Sequence, residues 1–347
     1  MNKAGSEKQN KKRMLVCLGV LLPAAILLSL CIGRYQVGLS QVVRILIDEM
    51  LSGCSGGRLH LDQTWTRPMA TAILQIRLPR VLLAALVGMA LAVAGAAFQG
   101  VFQNPMASPD ILGASSGAGF GAALAILLGA SQAGITAGAF ACSLVTIALV
   151  FLVASRARGI PVVSLILAGM MVSTLFSAGI GFIKLVADPN NQLPAITYWL
   201  MGSLSGAKST VVRSALLPMG VGMAGLFLLR WRLNLLSLGE EEAKALGVQT
   251  GRLRAAVIFF ATLLTASAIS VSGMIGWVGL VIPHMARKLV GNDYRYLFPA
   301  SLLTGGIFLL LVDDVARNLL EAEIPIGILT AFVGAPFFLY LICRKEQ

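Results

Sequence analysis

The sequence predicts an all-α integral membrane protein with about ten transmembrane helices in one domain. Of the 347 residues, 57% are hydrophobic and 12% are charged. Soluble domains carry roughly 25% charged residues, so this chain lacks the polar groups that would cover a surface in water. The mean hydropathy is +0.85, and the apolar residues form long continuous runs, as in helices that cross a bilayer. This composition excludes a soluble enzyme, a disordered chain and a fibre.

Ten apolar runs give the predicted membrane segments. Most approach the roughly 20 residues that a spanning helix needs, whereas the third and eighth are short or rich in glycine. The segments are 14–33, 81–102, 111–129, 133–155, 161–187, 211–230, 254–272, 275–290, 296–313 and 324–343. Residues 1–13 and 344–347 are expected to be cytoplasmic tails of the single transmembrane domain, 14–343.

The positions of Lys and Arg predict that both termini are cytoplasmic. Five cations precede the first run, at Lys3, Lys8, Lys11, Lys12 and Arg13. With the N-terminus inside, the inner segments hold 17 of the 27 cations, and six of the others lie in the long first loop, 34–80. Cytoplasmic loops carry such an excess. The first run is longer than the apolar region of a signal peptide, so we expect it to be a retained helix.

One apolar segment is too short to cross. Residues Leu193–Gly206 follow Asp188-Pro189-Asn190-Asn191 on the predicted outer side. Tyr198 and Trp199 are residue types that favour the membrane interface. We therefore expect a re-entrant or interfacial helix.

The sequence has no motif for catalysis or for ATP binding. It contains no Walker A, HExxH or GxSxG string, and its two histidines, His60 and His284, cannot build a metal cluster. No metal or cofactor is expected, and an intramembrane enzyme lacks a nucleophile–base pair.

Acidic residues are also scarce in the predicted spans. Asp188, Asp313 and Asp314 lie at outer ends, and no carboxylate is at the centre of a span. Ion-coupled carriers usually need ionisable groups inside the membrane. The sequence therefore favours a transport protein driven by a separate energy source, with an ion-gradient-driven carrier or channel as the alternative.

The inner loop from Gly239 to Gly247 offers a contact for such a source. Three acids at 240–242 suit the positive end of a short helix, and Gly247 suits its C-terminal end. Ala243, Leu246 and Val248 are expected to form an exposed apolar knob that fits a groove on a soluble partner. The alternative is an amphipathic helix on the membrane, which the acidic first turn disfavours at an anionic leaflet.

Six strings together resemble the FecCD-type permeases of ABC importers, a family of iron-siderophore, haem and cobalamin permeases that includes the vitamin B12 importer permease. They run in family order from the first loop to the C-terminus. The strings are Arg77-Leu-Pro-Arg80, Asn104-Pro-Met-Ala-Ser-Pro-Asp-Ile-Leu-Gly113, Leu238-Gly-Glu240 through Ala245-Leu-Gly247, Gly279-Leu-Val-Ile-Pro-His284, Glu323-Ile-Pro-Ile-Gly327 and Gly334-Ala-Pro336.

The resemblance implies the type II ABC importer permease fold and a homodimer. Two cytoplasmic ATPases would bind beneath it, and an extracytoplasmic binding protein would deliver substrate from above. The loop would be the coupling helix, with the contact residues Gly239, Glu240, Glu241, Ala243, Leu246 and Gly247.

The resemblance also implies that Arg77, Arg80 and Arg317 dock acidic groups of the binding protein. Arginine suits bidentate pairing with carboxylates. Snorkelling to lipid headgroups is the alternative for each, and at Arg317 an internal salt bridge with Asp313 or Asp314 competes.

The resemblance places an inner gate at the turn between spans four and five, residues 159–164. Relatives often carry small hydroxyl residues where this chain has Val162 and Val163, which could close a pore by dewetting; Ser164 follows them. Span five and Leu193–Gly206 are the expected walls of the pathway. Lys184 near that wall would attract an anionic substrate or snorkel outward. The substrate stays open among siderophores, haem, cobalamin and oxyanions such as molybdate.

Overall fold

The computed structural model describes residues 2–55, 62–157 and 161–343, and these residues form a bundle of α-helices without strands. A π-helical segment, Ala72–Arg77, joins α3 to α4, and a 3₁₀ turn covers Pro109–Leu112. The helices are α1 (Asn2–Cys31), α2 (Leu39–Ser55), α3 (Arg67–Thr71), α4 (Leu78–Val101), α5 (Ala114–Leu127), α6 (Gln132–Arg156), α7 (Pro161–Val186), α8 (Gln192–Met201), α9 (Ser209–Leu236), α10 (Glu240–Ala245), α11 (Thr250–Ser272), α12 (Val278–Val290), α13 (Tyr294–Asn318) and α14 (Ile326–Cys343).

All ten predicted membrane segments are helical. Within the described ranges, seven helices are long and apolar enough to cross a membrane. The two weakest segments are short: α5 has 14 residues and α12 has 13, which is about 20 Å of helix against a hydrocarbon core of about 30 Å. Each follows an irregular segment, and such backbone is tolerated at membrane depth where protein surrounds it.

Helix α4 lies at the centre of the bundle and packs against α11, α12 and α13. A Cβ atom at Gly88 would collide with the carbonyl of Gly305, and one at Gly95 with the carbonyl of Gly279. Small residues therefore let the backbones approach closely, which is how membrane helices gain packing contacts.

The first loop is more ordered than the sequence predicts. Instead of a long loop, residues 34–80 contain α2, α3 and the π-helical segment that leads into α4. Helix α2 is amphipathic, with Val42 and Ile45 buried. Its apolar residues are interrupted by Arg44, Asp48 and Glu49, so no continuous run marks it. The predicted tail is also different, because residues 2–13 belong to α1; residues 344–347 and His60 lie outside the described residues.

The bundle has two functional ends, which we name by their residues. The arginine end carries Arg77, Arg80 and Arg317, at the C-terminal end of α13. The α10 end carries α10 and the N-terminal end of α13, where Asn234 accepts from the Tyr294 backbone N–H at 2.9 Å. With 25 residues, α13 separates them by about 37 Å.

Candidate functional site

Helix α10 is a short surface element bounded by two glycines in unusual conformations. Gly239 precedes it with φ 132° and ψ 158°, and Gly247 follows it with φ 80°. Side chains other than glycine rarely adopt positive φ. The structure therefore confirms a helix between these glycines, and its position is set by backbone conformations that favour glycine at both boundaries.

The charged residues of α10 have different partners. Glu240 pairs with Arg254 of α11 at 3.1 Å and with Lys244 at 3.3 Å. The hydrogen bond from Arg254 lowers the pKa of Glu240, and Lys244 acts in the same direction. Glu241 contacts only Lys244 among the described ion pairs, at 3.4 Å, and is otherwise exposed. Glu240 thus joins α10 to the bundle, whereas Glu241 faces solvent.

The predicted apolar knob is smaller than expected. Ala243 is 0% exposed, so the expectation that its side chain is exposed is wrong. Val248 is half-buried and packs against the core. The reason is that α10 lies on the bundle and must bury one face. Leu246 is 60% exposed and Leu238 is comparably exposed. The exposed large apolar side chains of this loop are therefore Leu238 and Leu246.

At the arginine end, Arg77 is buried and connects two segments of the chain. It is 6% exposed, and its guanidinium donates to the carbonyls of Leu30 at 2.8 Å, Cys31 at 3.3 Å and Tyr35. These carbonyls lie at and beyond the C-terminal end of α1, where helix carbonyls lack intrahelical partners. Arg77 therefore satisfies the end of α1 from the segment that leads into α4.

Arg80 and Arg317 share one buried carboxylate. Asp313 is 0% exposed, accepts a hydrogen bond from Arg80 at 3.0 Å and forms an ion pair with Arg317 at 3.1 Å. Arg80 also pairs with Glu323 at 2.8 Å, and Arg317 pairs with Asp314. This network connects α4, α13 and the segment before α14. The internal salt bridge that competed at Arg317 in the sequence analysis is present.

These contacts differ from the expectation of three free docking arginines. All three guanidinium groups are turned inward to partners in the same chain, because buried charges need pairing. The sequence places the three arginines at one end of the bundle, but the spacing alone cannot show that Leu30, Tyr35 and Asp313 lie within reach of them.

The short helix α8 ends in a junction of three chain segments. The backbone N–H of Ser203 donates to Ser272 at the end of α11 at 2.8 Å, and that of Ile326 donates to Gly202 at 2.9 Å. A Cβ atom at Gly273 would collide with the carbonyl of Trp199. The predicted non-crossing helix is confirmed as ten residues long, and its C-terminal end is fixed to α11 and α14.

An apolar cavity of about 680 Å³ opens beside this junction. Its walls come from α8, the 274–277 turn and α14, and include Met201, Met274, Trp277, Ile328 and Phe332. Helix α7 contributes none of the residues that line this cavity, and its place in the pathway stays a prediction. Trp277 has φ 69°, a strained conformation for a non-glycine residue, and such strain often marks functional positions.

The predicted gate and Lys184 lie at opposite ends of α7. Val162, Val163 and Ser164 form its first turn, where Val163 is exposed, and Gly159 and Ile160 lie outside the described residues. Lys184 is half-buried in the last turn, without a described partner. Twenty-two positions of helix separate Val162 from Lys184, about 33 Å, so no common site contains both.

One ionisable residue has a position that the sequence analysis did not predict. Asp110 lies in the Pro109–Leu112 turn, which packs against α4, α7 and α11, and it accepts a hydrogen bond from Ser115. Pro109 lies against Gly279 and Leu91 near the middle of α4. Asp110 is therefore a carboxylate close to the middle of α4, although it lies in a turn and not at the centre of a span. The signal was its place before a weak, glycine-rich span.

Among residues 2–55, 62–157 and 161–343, no group of three or more His, Cys, Asp or Glu could hold a metal ion. Three other features are prominent. Helix α10 is exposed and paired with α11, the three arginines connect segments of the chain at the arginine end, and an apolar cavity lies between these two ends.

Comparison with known proteins gives consistent matches. The model of the FecCD transport family matches residues 21–344. The molybdate import system permease protein MolB of Haemophilus influenzae is 42% identical over 335 residues, 96% of each chain. The cobalamin import system permease protein BtuC of Halobacterium salinarum is 39% identical, over 94% of this chain and 95% of its own.

A solved structure gives the same result for the fold. An ABC transporter of the metal-chelate type, in an inward-facing conformation, superposes with a TM-score of 0.84 at 40% identity. The match covers 95% of this chain and 99% of that one.

Proposed function

The chain belongs to the FecCD transport family, and from this membership we propose that it is the membrane-spanning permease of a binding-protein-dependent importer for a metal chelate. It is an ABC importer permease, a transport component. The observation that carries the proposal is the family match over residues 21–344. We propose that it lies in the cytoplasmic membrane with both termini cytoplasmic.

The apolar cavity supports a chelate as substrate. A chelate encloses its metal in an organic shell and can present apolar surface, which Met201, Trp277 and Phe332 would contact favourably. No charged side chain lines the described walls, and a bare oxyanion would lose hydration there without a counter-charge.

The alternative substrate is an oxyanion such as molybdate, carried by the same mechanism. The 42% identity with the molybdate permease MolB supports this alternative. An ion-gradient-driven carrier is the remaining alternative, and Asp110, which lies close to the middle of α4, supports it.

The partners in this proposal are a second copy of the chain, two ATPase subunits and a binding protein. Leu238 and Leu246, which flank α10, support an ATPase contact, since exposed apolar side chains beside a small helix suit a groove. The binding protein would dock at the arginine end, whose shape Arg77, Arg80 and Arg317 maintain. Val162, Val163 and Ser164 would form the gate on the ATPase side, and Lys184 would lie near the opposite mouth of the pathway.

The test is reconstitution with the ATPase subunit and the binding protein that this proposal requires. The complex is expected to contain two copies of each membrane and ATPase subunit, and to take up cyanocobalamin or a ferric hydroxamate into proteoliposomes only when ATP is present. The chain alone is expected to hydrolyse no ATP. Uptake of molybdate but of neither chelate would support the oxyanion alternative. Full uptake without ATPase, driven by a pH gradient or membrane potential, would refute the importer mechanism.

A further inference from the structure

Helix α10 has few connections to the rest of the bundle. It is six residues long, too short to be stable alone in water. The chain enters it through Gly239 and leaves it through Gly247, both at positive φ, where the backbone is least restricted by a side chain. A displacement of α10 could therefore be absorbed at either glycine unless side chains hold the helix.

The side-chain connection runs to α11. Arg254 is 7% exposed, and its Nη2 donates to Oε2 of Glu240 at 3.1 Å, while Thr250 Oγ1 lies 3.5 Å from the other carboxylate oxygen. Ala243 adds a buried contact beneath the helix. The other ion pairs of α10 in the described structure, between Lys244 and Glu240 or Glu241, stay within α10.

From this arrangement we propose that Arg254 is the positioning residue that fixes α10 to α11, so that a displacement of α10 moves α11 instead of being absorbed at Gly239 and Gly247. This inference rests on the proposed function, in which an ATPase moves α10. The Nε of Arg254 is buried without a hydrogen-bond partner, so the buried guanidinium depends on Glu240 for its counter-charge.

Helix α11 leads from this pair to the apolar cavity. Its 23 residues span about 34 Å. At its far end the Ser272 carbonyl accepts from Ser203 beyond α8, and the 274–277 turn that follows lines the cavity. The Glu240–Arg254 pair therefore lies at one end of α11, and the residues that follow the other end of α11 line the cavity.

The first test compares Arg254→Gln with Arg252→Gln. Arg252 lies two positions away, is exposed and has no described partner, so it is the matched control for loss of one positive charge. In the reconstituted complex, Arg254→Gln is expected to keep ATPase binding and ATP hydrolysis but to lower uptake per ATP hydrolysed by about fivefold or more. Arg252→Gln is expected to keep the wild-type ratio. Uptake is measured with cyanocobalamin, a ferric hydroxamate and molybdate in parallel.

A second readout needs no substrate. Spin labels at Ala245→Cys and Arg252→Cys, in a background without the five native cysteines, report the distance between α10 and α11. We expect one narrow distance distribution that is unchanged by ATP and vanadate, and a broad one when Arg254→Gln is added. Glu240→Gln removes the same ion pair by changing its more exposed partner, and it is expected to broaden the distance distribution too. Should Arg254→Gln fail to fold, Glu240→Gln decides the test.

The double variant Glu240→Arg with Arg254→Glu exchanges the two charges, so an ion pair can form again. It is expected to narrow the distance distribution. The inference is overturned if removing the pair leaves both the distance distribution and the uptake ratio at wild-type values. If the wild-type complex takes up none of the three substrates, the proposed function fails, but the distance measurement still decides the role of Arg254.

Discussion

Asp313 is the residue on which the arginine end depends. Its carboxylate is fully buried and neutralises Arg80 and Arg317, which come from two different helices. A buried pair contributes little net stability over an apolar substitute, but removing one partner leaves an uncompensated charge. The three arginines at this end therefore act first on the structure of the permease itself.

Asp313→Asn tests that role. It keeps the shape of the side chain but removes the shared counter-charge, and we expect it to destabilise the protein by about 3 kcal/mol. The measurement is thermal unfolding of the detergent-purified chain. Glu321→Gln, at an exposed acid in the segment after α13, is the control and should unfold at the wild-type temperature. Equal unfolding temperatures for both variants would contradict the role of Asp313.

The pH dependence of α10 follows from Glu240. Because its pKa lies below the ordinary value of 4.5, chiefly through the hydrogen bond from Arg254, folding favours its charged form. The stabilisation is complete above the ordinary value and is lost as the pH falls through the lowered one. Label mobility at Ala245→Cys is therefore expected to stay constant from pH 7.5 to pH 5 and to rise only below pH 4.5. With Arg254→Gln, the label should be mobile across the whole range.

Among the elements, α10 is so short that buried and exposed residues lie within a few positions of each other. One face must pack on the bundle and buries Ala243, whereas Leu246, directly after the helix, stays exposed. A residue that matters for stability and a residue available for contact therefore lie three positions apart, and substitutions can separate their effects.

Leu246→Asp and Ala243→Leu are expected to change different properties: the first lowers ATPase binding, and the second lowers the stability of the chain. Leu246→Asp is expected to lower co-purification of the ATPase subunit about tenfold or more, with an unchanged unfolding temperature, because a central apolar contact is lost. Ala243→Leu overfills a buried site and should cost about 1–3 kcal/mol of stability. Ala245→Leu, at an exposed neighbour, is the control for added volume. If Ala243→Leu and Ala245→Leu unfold alike, the burial of Ala243 is not maintained in the protein.

At the scale of the whole molecule, the two ends of the bundle differ in chemistry. Arg80 and Arg317 at the arginine end form ion pairs within the chain, and the α10 end exposes the apolar side chains of Leu238 and Leu246. The excess of cations on the segments of the α10 end predicts that this end is cytoplasmic.

Single cysteines in a background without native cysteines test the orientation. In intact cells a membrane-impermeant maleimide should label Asn190→Cys, in the exposed turn before α8, but not Gln9→Cys, on the exposed part of α1. Both should react after permeabilisation, which controls for reactivity. Labelling of Gln9→Cys in intact cells would place α10 outside and remove the basis for an ATPase contact.

The sequence by itself determined the membrane bundle, its ten apolar segments, the short α8 and the loop between Gly239 and Gly247. These features follow from local physics, since an apolar run in lipid must pair its own backbone groups and does so as a helix. The tertiary structure decided the burial of Ala243, the partners of Arg77, Arg80 and Arg317, helix α2, the depth of Asp110 and the walls of the cavity. A helix that is apolar on all sides does not reveal which face meets its neighbours, so contacts between residues distant along the chain, such as Arg80 with Asp313, are fixed only when the helices pack.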